Sequence, residues 1–216
     1  MKVKKLSKSQ IEEVKKIVDK DPIQQIYKRK NYINKIINDF IFEDGFKNIW
    51  IHLPTQWGKS ILNGLTFSQY QKVYNEKIHA IYPEIRVADD AKKLYNVNCH
   101  VINSYYKIGQ DKFGLLLIDE VQYALNKDSK RNYKVFELNY NHLVVNAAHL
   151  EKEQIKTLEE VGIEWSFEIS LLEGLQLGLI PEFETLNIPI DLTFEEKKQL
   201  LLIQKDYNNT IDRLYP

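Results

Sequence analysis

The chain has 216 residues, 44% hydrophobic and 28% charged, a length and balance typical of one folded globular domain with short additions rather than a disordered protein. Its 30 basic residues equal its 30 acidic ones, so no global basic field points to a polyanionic partner, and any nucleic-acid binding must be local. The sequence shows no signal peptide and no apolar run of roughly 20 residues, the length that crosses a bilayer, so we expect a cytoplasmic protein with no membrane partner. Cys99 is the only cysteine, which excludes a disulfide framework.

Residues 1–47 predict an N-terminal helical extension. Ser9 is the expected N-cap of a helix that runs to about Lys20, and Pro22 interrupts this pattern before a second helix begins. These helices are expected to be accessory to the domain that follows.

Residues 48–180 predict an α/β domain. Short apolar runs, rich in β-branched residues, alternate here with polar helical segments long enough to be crossover helices. The runs are Ile49 to Leu53, Ile78 to Tyr82, Cys99 to Ile102, Leu115 to Ile118 and Leu143 to Val145. The pattern indicates a mainly parallel central sheet flanked by helices.

The C-terminal part predicts helices and one further strand. A charged helix is expected to about Val161, and a second one between Ser170 as N-cap and Gly178 as stop. Residues 181–216 predict an exit strand and a last helix, which begins at the T-x-x-E capping box of Thr193.

A phosphate-binding loop is indicated by LPTQWGKS, which follows the first apolar run. Phosphates are bound by backbone N–H groups at a helix N-terminus, by a lysine and, through Mg²⁺, by a hydroxyl group. Gly58, Lys59 and Ser60 supply these three elements in order. The alternative is a chance GKS sequence where a loop meets a helix, which the preceding strand disfavours.

Two adjacent acids, Asp119 and Glu120, end the apolar run LLLID. Carboxylates at the end of a buried strand serve to hold Mg²⁺, here Asp119, and to orient the attacking water, here Glu120. The alternative is a strand end whose acids are merely solvated. The phosphate loop upstream favours the first interpretation.

These two segments resemble superfamily 2 helicases. LPTQWGKS resembles motif I, although Leu53 replaces the first Walker A glycine, and DEVQ resembles motif II, the DEAD/DEAH box, with Gln122 at the position that senses the γ-phosphate. The resemblance extends from Asn48 to the C-terminus and is nearest to phage and DNA-repair helicases. It implies a RecA-like P-loop NTPase fold with ATP and Mg²⁺ as cofactors. The resemblance implies that the cofactor is bound by Pro54, Thr55, Gln56, Trp57, Gly58, Lys59 and Ser60. It implies catalytic roles for Lys59, Glu120 and Gln122, and it implies that Ser60 and Asp119 hold the metal.

Asn146 and Ala147 resemble motif III, which couples hydrolysis to strand movement. Ala148 lacks the hydroxyl of the usual final threonine, but Asn146 is able to hydrogen-bond to the acidic motif. A tight turn after a core strand is the alternative.

Two further segments lie where the family's motifs Ia and Ib contact the nucleic-acid backbone. The first contains Tyr82 and Pro83, and the second contains Asn103 and Ser104. Backbone N–H groups and small hydroxyls there would hold one strand without reading its sequence. For Tyr82, ordinary packing is the favoured alternative.

The resemblance implies an ATP-dependent helicase or translocase that acts on DNA more readily than on RNA. No Gln-x-x-Gly-Arg-x-x-Arg pattern of motif VI is present, so a second RecA-like domain, in trans or in a longer chain, is expected as a partner. One alternative is a non-hydrolysing module that binds nucleotide or DNA or docks on a helicase, which Lys59, Asp119 and Glu120 disfavour. The other is an AAA-type P-loop ATPase, which Pro54 and Thr55 disfavour.

Overall fold

The computed structural model describes residues 1–55, 57–125 and 130–180, together with Gln199. The chain divides into two compact units, Met1–Pro181 and Glu182–Pro216, and the elements named here all belong to the first. The exit strand and helix predicted for residues 181–216 lie outside the described residues, except that Gln199 is helical.

A single sheet of seven parallel strands forms the centre of the described part of the chain. The strands are β1 (Lys2–Lys4), β2 (Ile49–His52), β3 (Ile78–Tyr82), β4 (Asn98–Val101), β5 (Phe113–Ile118), β6 (Tyr140–Ala147) and β7 (Trp165–Glu168). Their order across the sheet is β1-β7-β2-β6-β5-β3-β4. Because every pairing is parallel, all carboxyl ends meet at one edge, where α/β proteins bind their ligands.

Seven α-helices accompany these strands in the described residues. They are α1 (Lys8–Lys16), α2 (Pro22–Phe42), α3 (Lys59–Tyr74), α4 (Ile85–Tyr95), α5 (Lys130–Tyr133), α6 (Lys152–Glu160) and α7 (Leu171–Gln176). In this part of the chain, none of the helices combines the length and the apolar character that a membrane span requires. The crossover helices predicted between the first three apolar runs are confirmed as α3 and α4, whereas the connection from β4 to β5 is a 3₁₀ helix, Ile102–Ile108.

The helix ends test the predicted caps. Ser170 caps α7 as predicted, and Gly178 follows that helix with a φ of 60°. The predicted cap at Ser9 is wrong, because Ser7 caps α1 by accepting a hydrogen bond from the Gln10 backbone N–H. The Gln10 side chain accepts from the Ser7 N–H in return, and this reciprocal capping box fixes the start two residues earlier than expected.

The sheet separates two apolar layers. On one face, Ile49 and Ile51 share a core with Ile33 and Ile37 of α2, together with residues of α3 and α4. On the other face, Trp50 shares a second core with residues of β5, β6 and α6. Neighbouring residues of β2 thus point to opposite layers, as the pleat requires, and both faces are buried as expected for a parallel sheet.

Strands β1 and β7 were not predicted. The strand β7 lies beside β2, and β1 pairs with its outer edge. Phe40 of α2 packs on Trp165 and Phe167 of β7, with ring centroids 5.3 and 6.4 Å apart. Residues 1–47 therefore supply one strand and part of the core, while the domain boundary at residue 47 stays a prediction.

The predicted RecA-like α/β fold with a mainly parallel sheet is confirmed.

Candidate functional site

The phosphate loop connects β2 to α3 at the carboxyl edge of the sheet. Gly58 is the N-cap of α3 and has φ 89° and ψ 38°, a left-handed conformation that glycine adopts without a steric penalty. Lys59 and Ser60 follow as the first two residues of α3. The backbone N–H groups of this first turn are those that bind anions at helix N-termini. Gln56 lies outside the described residues.

Lys59 and Glu120 form an ion pair across this edge. The Lys59 Nζ donates to Glu120 Oε1 at 2.9 Å, and the two side chains are 11% and 27% exposed. The other carboxylate oxygen, Oε2, accepts from Gln122 Nε2 at 2.9 Å. The three predicted catalytic residues therefore lie in one hydrogen-bonded chain, which brings the phosphate loop and the acidic motif together.

The backbone of Glu120 is left-handed, with φ 51° and ψ 57°. A residue with a Cβ atom pays on the order of 1 to 2 kcal/mol for this conformation, which persists where the surroundings enforce it. Asp119, just before it, donates its backbone N–H to the Ile81 carbonyl at 2.9 Å and so extends the pairing of β5 with β3. The turn at Glu120 then directs its carboxylate toward Lys59 instead of along the strand.

Asn146 connects the acidic motif to α3. Its Nδ2 donates to Asn63 Oδ1 at 2.8 Å and to Asp119 Oδ1 at 3.4 Å, and its side chain is fully buried. The expected hydrogen bond between Asn146 and the acidic motif is thus present, while its role in coupling stays a prediction. Ala147, the last residue of β6, is buried beside His52 of β2.

Electrostatics at Asp119 are set by two opposing effects. Burial raises the pKa of its carboxyl group above the ordinary aspartate value, and the nearby positive charge of Lys59 acts in the opposite direction. Asp119 and the exposed Ser60 offer a carboxylate and a hydroxyl oxygen, the hard donors that Mg²⁺ prefers. These two residues are therefore of the chemical kind that would hold a magnesium ion.

The remaining residues of the phosphate loop divide into buried and exposed ones. Thr55 is exposed, whereas Pro54 is buried and Trp57 is only 1% exposed. The indole Nε1 of Trp57 donates to Asn34 Oδ1 of α2 at 2.8 Å. The Trp57 ring therefore packs in the core, and the predicted contact of this residue with the cofactor stays a prediction, one that its backbone would make.

The four predicted nucleic-acid residues differ in accessibility. Tyr82 is 2% exposed, so its ring packs in the core, in agreement with the favoured alternative for that side chain. Pro83 and Ser104 are half-buried, and the Ser104 hydroxyl donates to the Val101 carbonyl at 3.1 Å. Asn103 alone among the four is exposed. A contact made by the backbone of these two segments stays a prediction.

Two further residues at this edge were missed by sequence reasoning. His52 precedes the phosphate loop directly and stacks on Trp50, with ring centroids 4.9 Å apart and planes 8° apart. Burial lowers the pKa of its imidazole, and the charge of Glu168 opposes that effect. Asn63 is 1% exposed and stands four residues after Lys59, so both project from one face of α3, and this spacing was the available clue.

The described part of the chain has a RecA-like α/β fold. One strand, β6, separates the strand of the phosphate loop from the strand of the acidic pair, and both motifs open onto the same edge. No protein-family model matches the chain, and no curated protein matches it.

Two solved structures are similar to this chain. The Sulfolobus solfataricus SWI2/SNF2 ATPase core in complex with dsDNA is 14% identical, with a TM-score of 0.43, and the match covers 64% of this chain and 34% of that one. The UvsW helicase from Bacteriophage T4 is 16% identical, with a TM-score of 0.41, and the match covers 60% of this chain and 57% of that one. The chain thus spans about a third of the length of the first protein and somewhat more than half of the length of the second.

Proposed function

We propose that this chain is the ATP-binding motor domain of a superfamily 2 helicase or translocase that acts on nucleic acid, with DNA favoured over RNA. The observation that carries the proposal is the joining of Lys59, Glu120 and Gln122 in one hydrogen-bonded chain at the N-terminus of α3. A phosphate-binding lysine and a water-orienting carboxylate are two of the groups that phosphoryl transfer requires of the protein.

Each residue has a distinct task in this proposal. The first turn of α3 and Lys59 would bind the outer phosphates, and Ser60 with Asp119 would hold Mg²⁺, which neutralises charge on the phosphate oxygens. Glu120 would orient the attacking water. A γ-phosphate beside Lys59 would compete with Glu120 for the ammonium group, so nucleotide binding would free that carboxylate to accept a proton from water.

Calorimetric titration with MgADP tests the phosphate site. Lys59→Ala should abolish measurable binding, because it removes the only charged side chain that the loop directs toward the acidic pair. Lys72→Ala is the matched control, since Lys72 lies in the last turn of the same helix. Equal affinity of the Lys59→Ala variant and the wild type would refute the proposed site.

Nucleic-acid binding should be weak, tolerant of sequence and reduced by salt. The zero net charge leaves few cations to displace counterions from phosphates, so the logarithm of affinity should fall with a shallow slope against the logarithm of salt concentration. Fluorescence anisotropy with single-stranded and duplex DNA and with RNA measures this. Sharp preference for one sequence, unaffected by salt, would instead indicate a dedicated sequence reader.

A further inference from the structure

The phosphate loop is attached to helix α2 by one buried hydrogen bond. Trp57, the residue before Gly58, donates its indole N–H to Asn34 Oδ1 at 2.8 Å. We propose that Asn34 is a positioning residue for the nucleotide site, which acts through Trp57 to hold the phosphate loop in its binding conformation. This inference rests on the proposed function, because it concerns how tightly the same loop binds a nucleotide.

Trp57 is well placed to transmit a constraint to the loop. Its ring lies in the core that also contains Ile33 and Ile37 of α2 and Leu62 of α3. Its backbone leads directly into the left-handed Gly58, which begins α3. Because only one residue separates the anchored ring from Lys59, a displacement of Trp57 moves the lysine and the first N–H groups of α3 with it.

The hydrogen bond supplies what apolar packing cannot. Apolar contacts are non-directional, so they bury an indole ring without fixing its rotation, whereas an N–H donor must point at its acceptor. Asn34 is fully buried, and its Nδ2 has no hydrogen-bond partner among the described residues. Since an unpaired buried donor costs about 1 to 3 kcal/mol, apolar residues at both positions, Asn34 and Trp57, would suit folding alone at least as well as this polar pair. The asparagine is explained by its partner on the loop.

A second polar residue of α2 faces the same ring. Lys30, one turn before Asn34, is 9% exposed, and its Nζ lies 6.0 Å from the centroid of Trp57. Asn34 is the fourth residue after Lys30, so the two side chains project from one face of the helix. Burial lowers the pKa of Lys30, which indicates that its ammonium group is held in a poorly solvated place. Two polar residues of α2 therefore contact the side chain that anchors the loop.

A double-mutant cycle separates positioning from simple stabilisation. Asn34→Leu leaves the indole N–H unpaired, and Trp57→Phe leaves the Asn34 amide unpaired, so each variant alone should lower the melting temperature. Replacing both partners removes both unpaired groups, and stability should largely return. Nucleotide affinity should not return, because the double variant still lacks the directional contact between α2 and the loop.

The experiment measures MgADP affinity by calorimetry and the melting temperature of the full chain for the wild type, both single variants and the double variant. We expect the double variant to melt near the wild-type temperature yet to bind MgADP roughly tenfold more weakly or worse. Asn38→Leu is the matched control: Asn38 is a buried asparagine one turn further along α2, and its replacement should leave MgADP affinity unchanged. If affinity recovers together with stability, Asn34 is only structural and the inference is wrong. If the wild type itself does not bind MgADP, the proposed function is wrong, a result that differs from a recovery of affinity in the double variant.

Nuclear magnetic resonance of the indole N–H groups gives a second measurement on the unmutated chain. The three tryptophans give three such resonances, and the one from Trp57 is assigned by its loss in Trp57→Phe. On addition of MgADP the Trp57 resonance should shift, while that of Trp165 on β7 should not. A Trp57 resonance that stays fixed while MgADP binds would overturn the proposed link.

Discussion

Glu120 satisfies three requirements at once. Its carboxylate accepts from Lys59 on one oxygen and from Gln122 on the other, and its backbone is left-handed. Unstrained backbone would serve packing better, so the conformation is explained by where it places the carboxylate. Strain of this kind concentrates at functional positions.

Replacing Glu120 by glutamine should separate binding from hydrolysis. The amide keeps the shape of the side chain but neither attracts Lys59 as an anion nor accepts a proton from water. MgATP binding should therefore persist or strengthen, while hydrolysis falls by about a hundredfold or more. Calorimetry and steady-state phosphate release test the two halves of this prediction. Loss of binding in Glu120→Gln would show that Lys59 depends on the ion pair for its position.

Individual residues of the site were predictable where a motif is contiguous. Gly58, Lys59 and Ser60 stand together in the sequence, as do Asp119 and Glu120, and these motifs reveal their chemistry without knowledge of the fold. The burial of Trp57 was not predictable, because its partner Asn34 stands 23 residues earlier on a helix with no motif. The burial of Tyr82 depends likewise on all its neighbours, although ordinary packing was the favoured interpretation of its ring.

At the scale of elements, the strands with apolar runs were predicted, and the two without such a run, β1 and β7, were missed. The strands β1 and β7 have three and four residues, and β1 is largely exposed and lysine-rich. What makes them strands is pairing, with β7 lying against β2 and β1 against β7. Neither the hydrophobic pattern nor turn residues encode such a long-range choice, so local sequence did not show it.

The paired strands β3 and β4 carry two histidines in contact. His79 Nδ1 and His100 Nε2 are 3.0 Å apart, and their rings stack with centroids 5.2 Å apart. Burial, aided by the charges of His100 and Lys77, lowers the pKa of His79 to about 4. The pKa of His100 is lowered too, first by burial. The contact therefore requires at least one neutral imidazole.

This pair should make the fold sensitive to mild acid. Below about pH 6.5 the unfolded chain takes up a proton on His79 that the folded chain excludes until about pH 4, so stability is present at neutral pH and lost as pH falls through that window. At pH 5 the loss should be roughly 2 kcal/mol from His79. Urea unfolding at pH 7.5 and pH 5 measures it, with the double variant His79→Leu, His100→Leu as reference. An equal loss in both proteins would assign the acid sensitivity to other groups, such as His52 or His142.

At the scale of the whole molecule, the described residues supply the proposed nucleotide site from one side only. Lys59, Asp119 and Glu120 all come from the carboxyl edge of one sheet. Charge that develops on the γ-phosphate also needs cations from the opposite side, usually arginines. Among the described residues, Arg29 is engaged, since its guanidinium donates to the carbonyls of Ile17 and Leu177.

The chain alone should therefore hydrolyse ATP slowly, and a second RecA-like domain supplied in trans should restore the rate. The sequence contains no Gln-x-x-Gly-Arg-x-x-Arg pattern, and an arginine finger contributes about 10³ to 10⁵ in rate in related phosphate chemistry. The rate is measured as steady-state phosphate release, with and without DNA and with and without the candidate second domain. The Glu120→Gln variant should lose the restored activity while it still binds MgATP. Brisk DNA-stimulated hydrolysis by the monomeric chain would show that an arginine of its own completes the site. A rate per chain that rises with protein concentration would show instead that one copy completes the site of another.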